Sequence, residues 1–357
     1  MKTKLTRSIL ALTIVMLANI SCLAMLFPDG KDTPAPVNII YLIGDGMGYG
    51  QISSLIMEHA VNGASYRTSE INRIKYMGIA TTYSADSKVT DSAAGGTALA
   101  NGEKTNNGTV GINAAGDTLS SVMIYARNIG KSTGIVTNTP ILDATPAAFY
   151  AHVEKRSQWD EIAVQMTQCG FDILMGEGLE HFNARKDGKD LTQVFKDKGY
   201  VFCDTWEQAS AVQKADKMVA LTDIGEVYPQ AVSKAIELLE KKNNPKGFFL
   251  MIEEARIDGW GHENDAKGMV AEMEIMDQVM KVILDYADSH PGTLIVITAD
   301  HETGGTSIGY DGMPAFKTKG HSGTVVPVFA YGPGQELFMG LMDNVDIPKK
   351  LFRLLGK

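Results

Sequence analysis

Beyond residue 24 the sequence has no apolar run long enough to cross a membrane. It also has no internal repeat, no low-complexity segment and no linker rich in proline or serine between two halves. Cysteine is scarce, with 3 residues in a chain of 357, so at most one disulfide can form. Cys169 and Cys203 either form that disulfide in an oxidising compartment or remain two buried thiols, and the sequence leaves both alternatives open.

Basic residues are in deficit, because 33 Lys and Arg stand against 42 Asp and Glu, for a formal net charge of -9. A surface this acidic does not attract nucleic acid, so we exclude a nucleic-acid partner. Hydrophobic residues make up 44% of the chain, which is enough for one large core. We therefore predict a single domain over residues 25–357, and no transmembrane segment.

The first residues have the layout of a secretory signal peptide, with a basic start followed by an apolar run over residues 9–20. Cleavage after Ala24 gives a signal peptide of residues 1–24 and a soluble, exported chain, periplasmic in a bacterium. The alternative is a lipoprotein signal of residues 1–21, with a lipid anchor on Cys22. A lipoprotein signal favours an aliphatic residue three positions before the cysteine, where this chain has Asn19, so ordinary cleavage is preferred.

Short, continuously apolar runs predict strands that are buried on both faces, as in a parallel sheet. Helical periodicity separates these runs, so the predicted fold is α/β, with a largely parallel central sheet and helices on both faces. In such folds the chemistry lies beyond the carboxyl ends of the strands. The predicted strands are 37–43, 134–137, 248–252, 293–298 and 325–331, and the predicted helices are 118–128 after Asp117, 158–168 after Ser157, and 267–287.

Polar clusters follow three of these strands. Asp45 lies in a glycine-rich turn after the first strand, and Asp300 and His301 follow the strand over 293–298. A charged residue at the end of a buried strand must be paired or must bind a metal. After the strand over 248–252, Asp258 and His262 are four residues apart and share one face of a helical turn, a spacing that suits two ligands of one ion.

Two further clusters suit the binding of an anion. Ser92 is predicted at the amino end of a helix of small residues, where free N–H groups and the helix dipole favour an anion or a developing alkoxide. Asp143 and Thr145 offer two oxygen ligands, and Arg156 follows with a forked guanidinium that matches two phosphate oxygens. Converging carboxylates repel one another unless cations compensate them, and five are candidates: Asp45, Asp143, Glu253, Asp258 and Asp300.

Over most of the mature chain, these ordered motifs resemble the alkaline phosphatase family. The resemblance implies an alkaline-phosphatase-like catalytic domain that hydrolyses phosphate monoesters through a phosphoserine at Ser92, with Arg156 clamping the phosphoryl oxygens. It also implies two Zn²⁺ ions and one Mg²⁺ ion. For the oligomeric state, the resemblance makes a homodimer one alternative. The implied ligands are Asp258, His262 and His321 for the first zinc, Asp45, Asp300 and His301 for the second, and Asp45, Thr145 and Glu253 for magnesium, with Asp143 acting on magnesium directly or through water.

Two features depart from the family pattern. Gly259, Trp260 and Gly261 stand where many members carry a Lys or His that reaches toward phosphate. Only 19 residues separate His301 from His321, which predicts a compact form without the crown insertion of larger relatives. The rival functions are a phosphodiesterase or sulfatase on the same scaffold and a metal- or phosphate-binding protein without turnover. The natural ester is not predicted.

Overall fold

The computed structural model describes residues 35–61 and 68–357. Both alternatives for the signal peptide, and Cys22, lie outside the described residues. Among the helices within these two ranges, none combines the length and apolar character needed to span a membrane.

The structure alternates strands and helices along the chain. The strands are β1 (Asn38–Gly44), β2 (Tyr76–Thr81), β3 (Ser132–Pro140), β4 (Ile173–Glu177), β5 (Val201–Cys203), β6 (Met218–Leu221), β7 (Phe248–Glu254), β8 (Thr293–Thr298), β9 (Glu302–Thr303), β10 (Ser307–Ile308), β11 (Pro314–Ala315), β12 (His321–Ser322), β13 (Val326–Tyr331) and β14 (Gly340–Asp343). The helices are α1 (Tyr49–Val61), α2 (Ser92–Asn101), α3 (Val122–Asn128), α4 (Ala144–Ala147), α5 (Trp159–Met166), α6 (Glu180–Asn183), α7 (Leu191–Asp197), α8 (Trp206–Ala211), α9 (Tyr228–Lys241), α10 (Arg256–Glu263), α11 (Ala266–Ser289) and α12 (Asp346–Leu354). Short 3₁₀ turns lie at Glu70–Arg73, Gly225–Val227 and Gln335–Phe338.

A ten-stranded sheet forms the centre of the fold, in the order β14-β2-β13-β8-β1-β7-β3-β4-β6-β5. Its strand pairs are parallel except for those that β13 makes with β8 and β2, so the predicted largely parallel sheet is confirmed. Every residue of β7 and β8 is buried. Because successive side chains of a strand point to opposite faces, both faces of the sheet are covered there.

The strand directions bring the polar clusters to one edge of the sheet. Strands β1, β3, β7 and β8 are parallel neighbours, so their carboxyl ends lie side by side. Asp45, Asp143 and Asp300 follow β1, β3 and β8, and Glu253 is the penultimate residue of β7. The fold therefore gathers carboxylates that are far apart in the sequence.

The helix predicted over 118–128 begins later than expected, and its predicted cap is wrong. Thr118 pairs with Ile112 in an isolated β-bridge, and the helix begins at Val122 with the Ser121 side chain accepting from the Ile124 N–H. The last predicted helix is confirmed as α11. The first residue of α5 is Trp159, and Gln158 rather than Ser157 precedes it as the cap.

Cys169 and Cys203 are both free and buried, so the disulfide alternative is wrong for the structure described. Burial raises the pKa of the Cys169 thiol to about 11, which keeps it protonated and unreactive near neutral pH. Between His301 and His321 the chain forms short two-stranded pairings, β9 with β12 and β10 with β11. This short connection agrees with the predicted absence of a crown insertion.

Candidate active site and metal centre

Ser92 is the first residue of α2, and its side chain is only 3% exposed. The preceding residue, Asp91, caps the helix by accepting a hydrogen bond from the Ala94 N–H at 3.0 Å. Ser92 Oγ lies 3.2 Å from His301 Nε2. The hydroxyl is thus held at a helix amino terminus, where free N–H groups favour negative charge.

One cluster of possible metal ligands consists of Asp258, His262 and His321, whose ligand atoms lie within 4.8 Å of one another. The two histidine Nε2 atoms are 3.1 Å apart, and Asp258 oxygens lie 3.2 Å from His262 Nε2 and 3.5 Å from His321 Nε2. Each Nδ1 faces a backbone carbonyl oxygen, that of Lys319 at 2.5 Å or Thr90 at 2.9 Å. With Nδ1–H donating to these carbonyls, the Nε2 lone pairs point at one another, an arrangement that fits a shared cation.

A second cluster consists of Asp45, Asp300 and His301, all buried and also within 4.8 Å. His301 Nε2 lies 3.2 Å from Asp300 Oδ2 and 3.5 Å from Asp45 Oδ1. Neither of these two buried oxygens has a hydrogen-bond partner. Burial lowers the pKa of His301 well below its ordinary value, which keeps the imidazole neutral and able to bind a metal. Orphaned oxygens beside a neutral imidazole fit a second cation.

The remaining predicted ligands, Asp143, Thr145 and Glu253, all carry oxygen donors. Thr145 Oγ1 is buried without a hydrogen-bond partner, and Glu253 is 1% exposed and accepts from the Thr137 hydroxyl at 2.5 Å. Burial, followed by the charges of Asp143 and Asp300, raises the pKa of Glu253 to about 8. Oxygen donors of this kind suit a hard cation such as magnesium.

Arg156 lies between two carboxylates. Its Nη2 donates to Asp143 Oδ1 at 2.8 Å, and its Nη1 is 3.6 Å from Asp91 Oδ2. The contact between Asp91 and Arg156 was not predicted from the sequence. The feature of the sequence that could have identified Asp91 as a site residue is its position directly before Ser92.

The turn after β1 brings α10 close to the second cluster. Gly46 has a φ of 76°, and a Cβ at this position would lie 2.8 Å from the Asp258 Cα and 3.0 Å from Thr303 Oγ1. Only glycine accommodates both this backbone conformation and this approach. The Gly46 N–H also donates to Asp300 Oδ1 at 3.2 Å. The glycines of the motif therefore allow the two ligand clusters to lie side by side.

Trp260 and Thr303 are neighbours of proposed ligands in the sequence. Trp260 packs against Gly268, and its Nε1–H donates to Glu272 Oε2 at 3.2 Å, so the indole is anchored on α11. Thr303 was missed by the sequence interpretation, although its hydroxyl contacts a residue of each ligand cluster. The feature of the sequence that could have identified Thr303 as a site residue is its closeness to Asp300 and His301.

Comparison with known proteins agrees with this fold. The family model described as alkaline phosphatase matches residues 37–318. The chain belongs to the alkaline phosphatase family. It is accordingly a phosphoric monoester hydrolase, as its sequence motifs predicted.

Individual relatives cover nearly the whole chain. Alkaline phosphatase 4 of Bacillus subtilis is 31% identical, over 89% of this chain and 88% of that protein. The structure of the alkaline phosphatase from the Antarctic bacterium TAB5 is 35% identical and has a TM-score of 0.84, over 90% of this chain and 98% of that one. A single-residue variant of the TAB5 enzyme, 34% identical with a TM-score of 0.83 over 90% of this chain and 99% of that one, has magnesium bound in its M3 site.

Proposed function

We propose that this enzyme hydrolyses phosphate monoesters through a phosphoserine at Ser92, in a centre that binds two Zn²⁺ ions and one Mg²⁺ ion. One observation carries the proposal: the Ser92 hydroxyl lies at the amino end of α2, 3.2 Å from the ligand nitrogen of His301. A binding protein without turnover has no need of a buried hydroxyl between a ligand cluster and a helix terminus.

The donor atoms support the choice of metals. Asp258, His262 and His321 would hold one zinc ion, and Asp45, Asp300 and His301 the other, since both sets combine carboxylate with imidazole. Asp45, Asp143, Thr145 and Glu253 would hold magnesium through oxygen alone. Magnesium in the M3 site of the TAB5 variant supports a third position in this family. Divalent cations here would neutralise the carboxylates, stabilise charge on phosphoryl oxygens and favour deprotonation of a hydroxyl group near neutral pH.

The protein's own groups then position the reaction. The free N–H groups of α2 favour an anion beside Ser92, and its Oγ attacks phosphorus as the bond to the leaving oxygen breaks. A water oxygen then attacks phosphorus, the bond to Ser92 Oγ breaks, phosphate is released, and Oγ recovers a proton from water. Asp143 and Asp91 hold the Arg156 guanidinium on either side, and its remaining N–H groups are available to two phosphoryl oxygens.

Arg156 distinguishes a monoesterase from a diesterase. A monoester dianion has three unesterified oxygens, whereas a diester has two and a single charge, so a guanidinium gains less from the diester. In Arg156→Ala we expect kcat/KM for phenyl phosphate to fall about 10- to 100-fold, because the substitution removes charge-assisted hydrogen bonds worth about 1.5–3 kcal/mol. Steady-state kinetics on phenyl phosphate and its diester measure both losses.

A matched control is Arg185→Ala, because Arg185 pairs with Asp187 at 2.9 Å and contacts no residue of the centre. This variant should retain the kinetics of the unaltered enzyme on both substrates. The monoesterase proposal fails if the unaltered enzyme prefers the diester and Arg156→Ala slows both substrates equally.

We also propose that the chain is exported and cleaved after Ala24, with lipidation at Cys22 as the alternative. The basic start and the apolar run over residues 9–20 support export, and Asn19 disfavours the lipoprotein signal. Fractionation of cells that express Cys22→Ser separates the two. We expect soluble protein before and after the substitution, and a shift from the membrane fraction to the soluble fraction would instead establish the lipid anchor.

A further inference from the structure

Thr303 lies between the two clusters of ligands and is fully buried. Its Oγ1 is 2.5 Å from Asp258 Oδ1 in one cluster and 3.2 Å from His301 Nδ1 in the other. Space for this side chain depends on Gly46 and Gly261, since a Cβ at either position would lie within 3.0 Å of a Thr303 side-chain atom. The hydroxyl thus occupies a closely fitted position that touches one ligand of each proposed zinc ion.

A single hydroxyl proton decides the direction of both hydrogen bonds. The carboxylate of Asp258 can only accept, and it is the closer and charged partner, so the Thr303 hydroxyl donates to it. The Thr303 oxygen then accepts, and His301 must donate from Nδ1–H. A neutral imidazole with its proton on Nδ1 has its lone pair on Nε2. That nitrogen is the one facing Ser92 Oγ, Asp300 Oδ2 and Asp45 Oδ1.

We infer that Thr303 is a positioning residue that fixes the tautomer and ring orientation of His301 through a proton arrangement set by Asp258. The carboxylate of one cluster thereby ensures that the ligand nitrogen of the other cluster, His301 Nε2, carries a lone pair. This role rests on the proposed metal-dependent function and adds to it a connection between the two zinc positions. Thr303 does not touch the reacting atoms, so its removal should act through His301.

The test compares Thr303→Val, which keeps the branched shape, with Thr303→Ser, which keeps the hydroxyl. In zinc-loaded protein labelled with ¹⁵N-histidine, we expect a His301 Nδ1–H signal that is slow to exchange with water in the unaltered chain and in Thr303→Ser. In Thr303→Val this proton loses its acceptor, so its signal should shift and exchange rapidly. Competition titration should show zinc affinity at the second cluster reduced about 10- to 100-fold in Thr303→Val and largely restored in Thr303→Ser.

Thr298→Val is the matched control, because this buried hydroxyl donates to the Pro327 carbonyl oxygen at 2.8 Å and touches no proposed ligand. It should lose one buried hydrogen bond and retain both the His301 signal and the zinc affinity. If Thr303→Val folds and keeps the slowly exchanging Nδ1–H and full zinc affinity, the role of Thr303 is refuted. If the unaltered chain binds no zinc through His301 Nε2, the metal-dependent function itself fails.

Discussion

Ser92→Ala should abolish formation of a phosphoenzyme and reduce kcat for phenyl phosphate by about 10³-fold or more, the order expected when a positioned nucleophile is lost. The substitution removes the one oxygen that lies both at the amino end of α2 and 3.2 Å from His301 Nε2. It leaves every proposed metal ligand and Arg156 in place. Hydrolysis by direct attack of water should persist at a low rate.

Two measurements separate loss of the nucleophile from general damage. Rapid quenching with ³²P-labelled substrate should trap a phosphoprotein in the unaltered enzyme and none in Ser92→Ala. Phosphoryl transfer to an added alcohol such as Tris should disappear in parallel, because transfer requires the covalent intermediate. Ser54→Ala is the control, since this buried hydroxyl bonds only within α1, to the Gln51 carbonyl oxygen at 2.6 Å. A labelled protein trapped from Ser92→Ala would place the nucleophile elsewhere.

The buried parallel strands were predictable because their sequences are apolar at consecutive positions. The runs over residues 248–252 and 293–298 correspond to β7 and β8, and the polar residues after them lie where the predicted sheet requires. The reversed direction of β13 was not predictable, because a strand buried on both faces has the same pattern whichever way it runs. Short or partly exposed strands, such as β2 and β5, lack the pattern altogether.

At the site, spacing along the chain indicated shared ligands of one ion only where both ligands come from one segment. Asp258 and His262 face the same side of α10, as four-residue spacing on a helix predicts. The contact between Asp91 and Arg156 and the contact between Thr303 and Asp258 each join different segments. The contact between Thr303 and Asp258 also depends on the close approach that Gly46 allows, and spacing along the chain does not reveal this approach.

Removal of metal should abolish activity, and zinc together with magnesium should restore it. The reason is the concentration of acidic groups at the edge of the sheet: Asp45, Asp300 and Glu253 are each almost fully buried. Without cations their charges repel one another and are poorly solvated. Dialysis against a chelator, elemental analysis and assay after each addition test this. Full activity in a demonstrably metal-free sample would contradict the proposed centre.

The metal-free chain should also lose stability as the pH rises, in a window that the pKa values define. Burial and then the neighbouring carboxylates raise the pKa of Asp300 to about 7, that of Glu253 to about 8 and that of Asp45 well above its ordinary value. Carboxyls whose pKa is higher in the folded state bind more protons folded than unfolded, so the free energy of unfolding falls as pH rises through this range. The fall should begin at about pH 4, where the carboxyls of the unfolded chain ionise, and continue to about pH 8, where those of the folded chain ionise.

Bound cations should reverse this dependence, because they favour the ionised carboxylates that the metal-free fold disfavours. We therefore expect the stabilisation by zinc and magnesium to increase between pH 5 and pH 8. It should reach about 4 kcal/mol for each site at which free metal is 1,000 times its Kd. Calorimetric melting of chelated and metal-loaded protein at several pH values measures the difference.

Asp300→Asn removes one of the buried charges, so the metal-free variant should be less sensitive to pH and should recover less stability with zinc. His290→Ala, whose imidazole pairs with Glu240 at 2.7 Å away from the centre, should behave like the unaltered chain. Metal-free protein whose melting temperature is constant or rises from pH 5 to pH 8 would show that these carboxylates do not converge uncompensated.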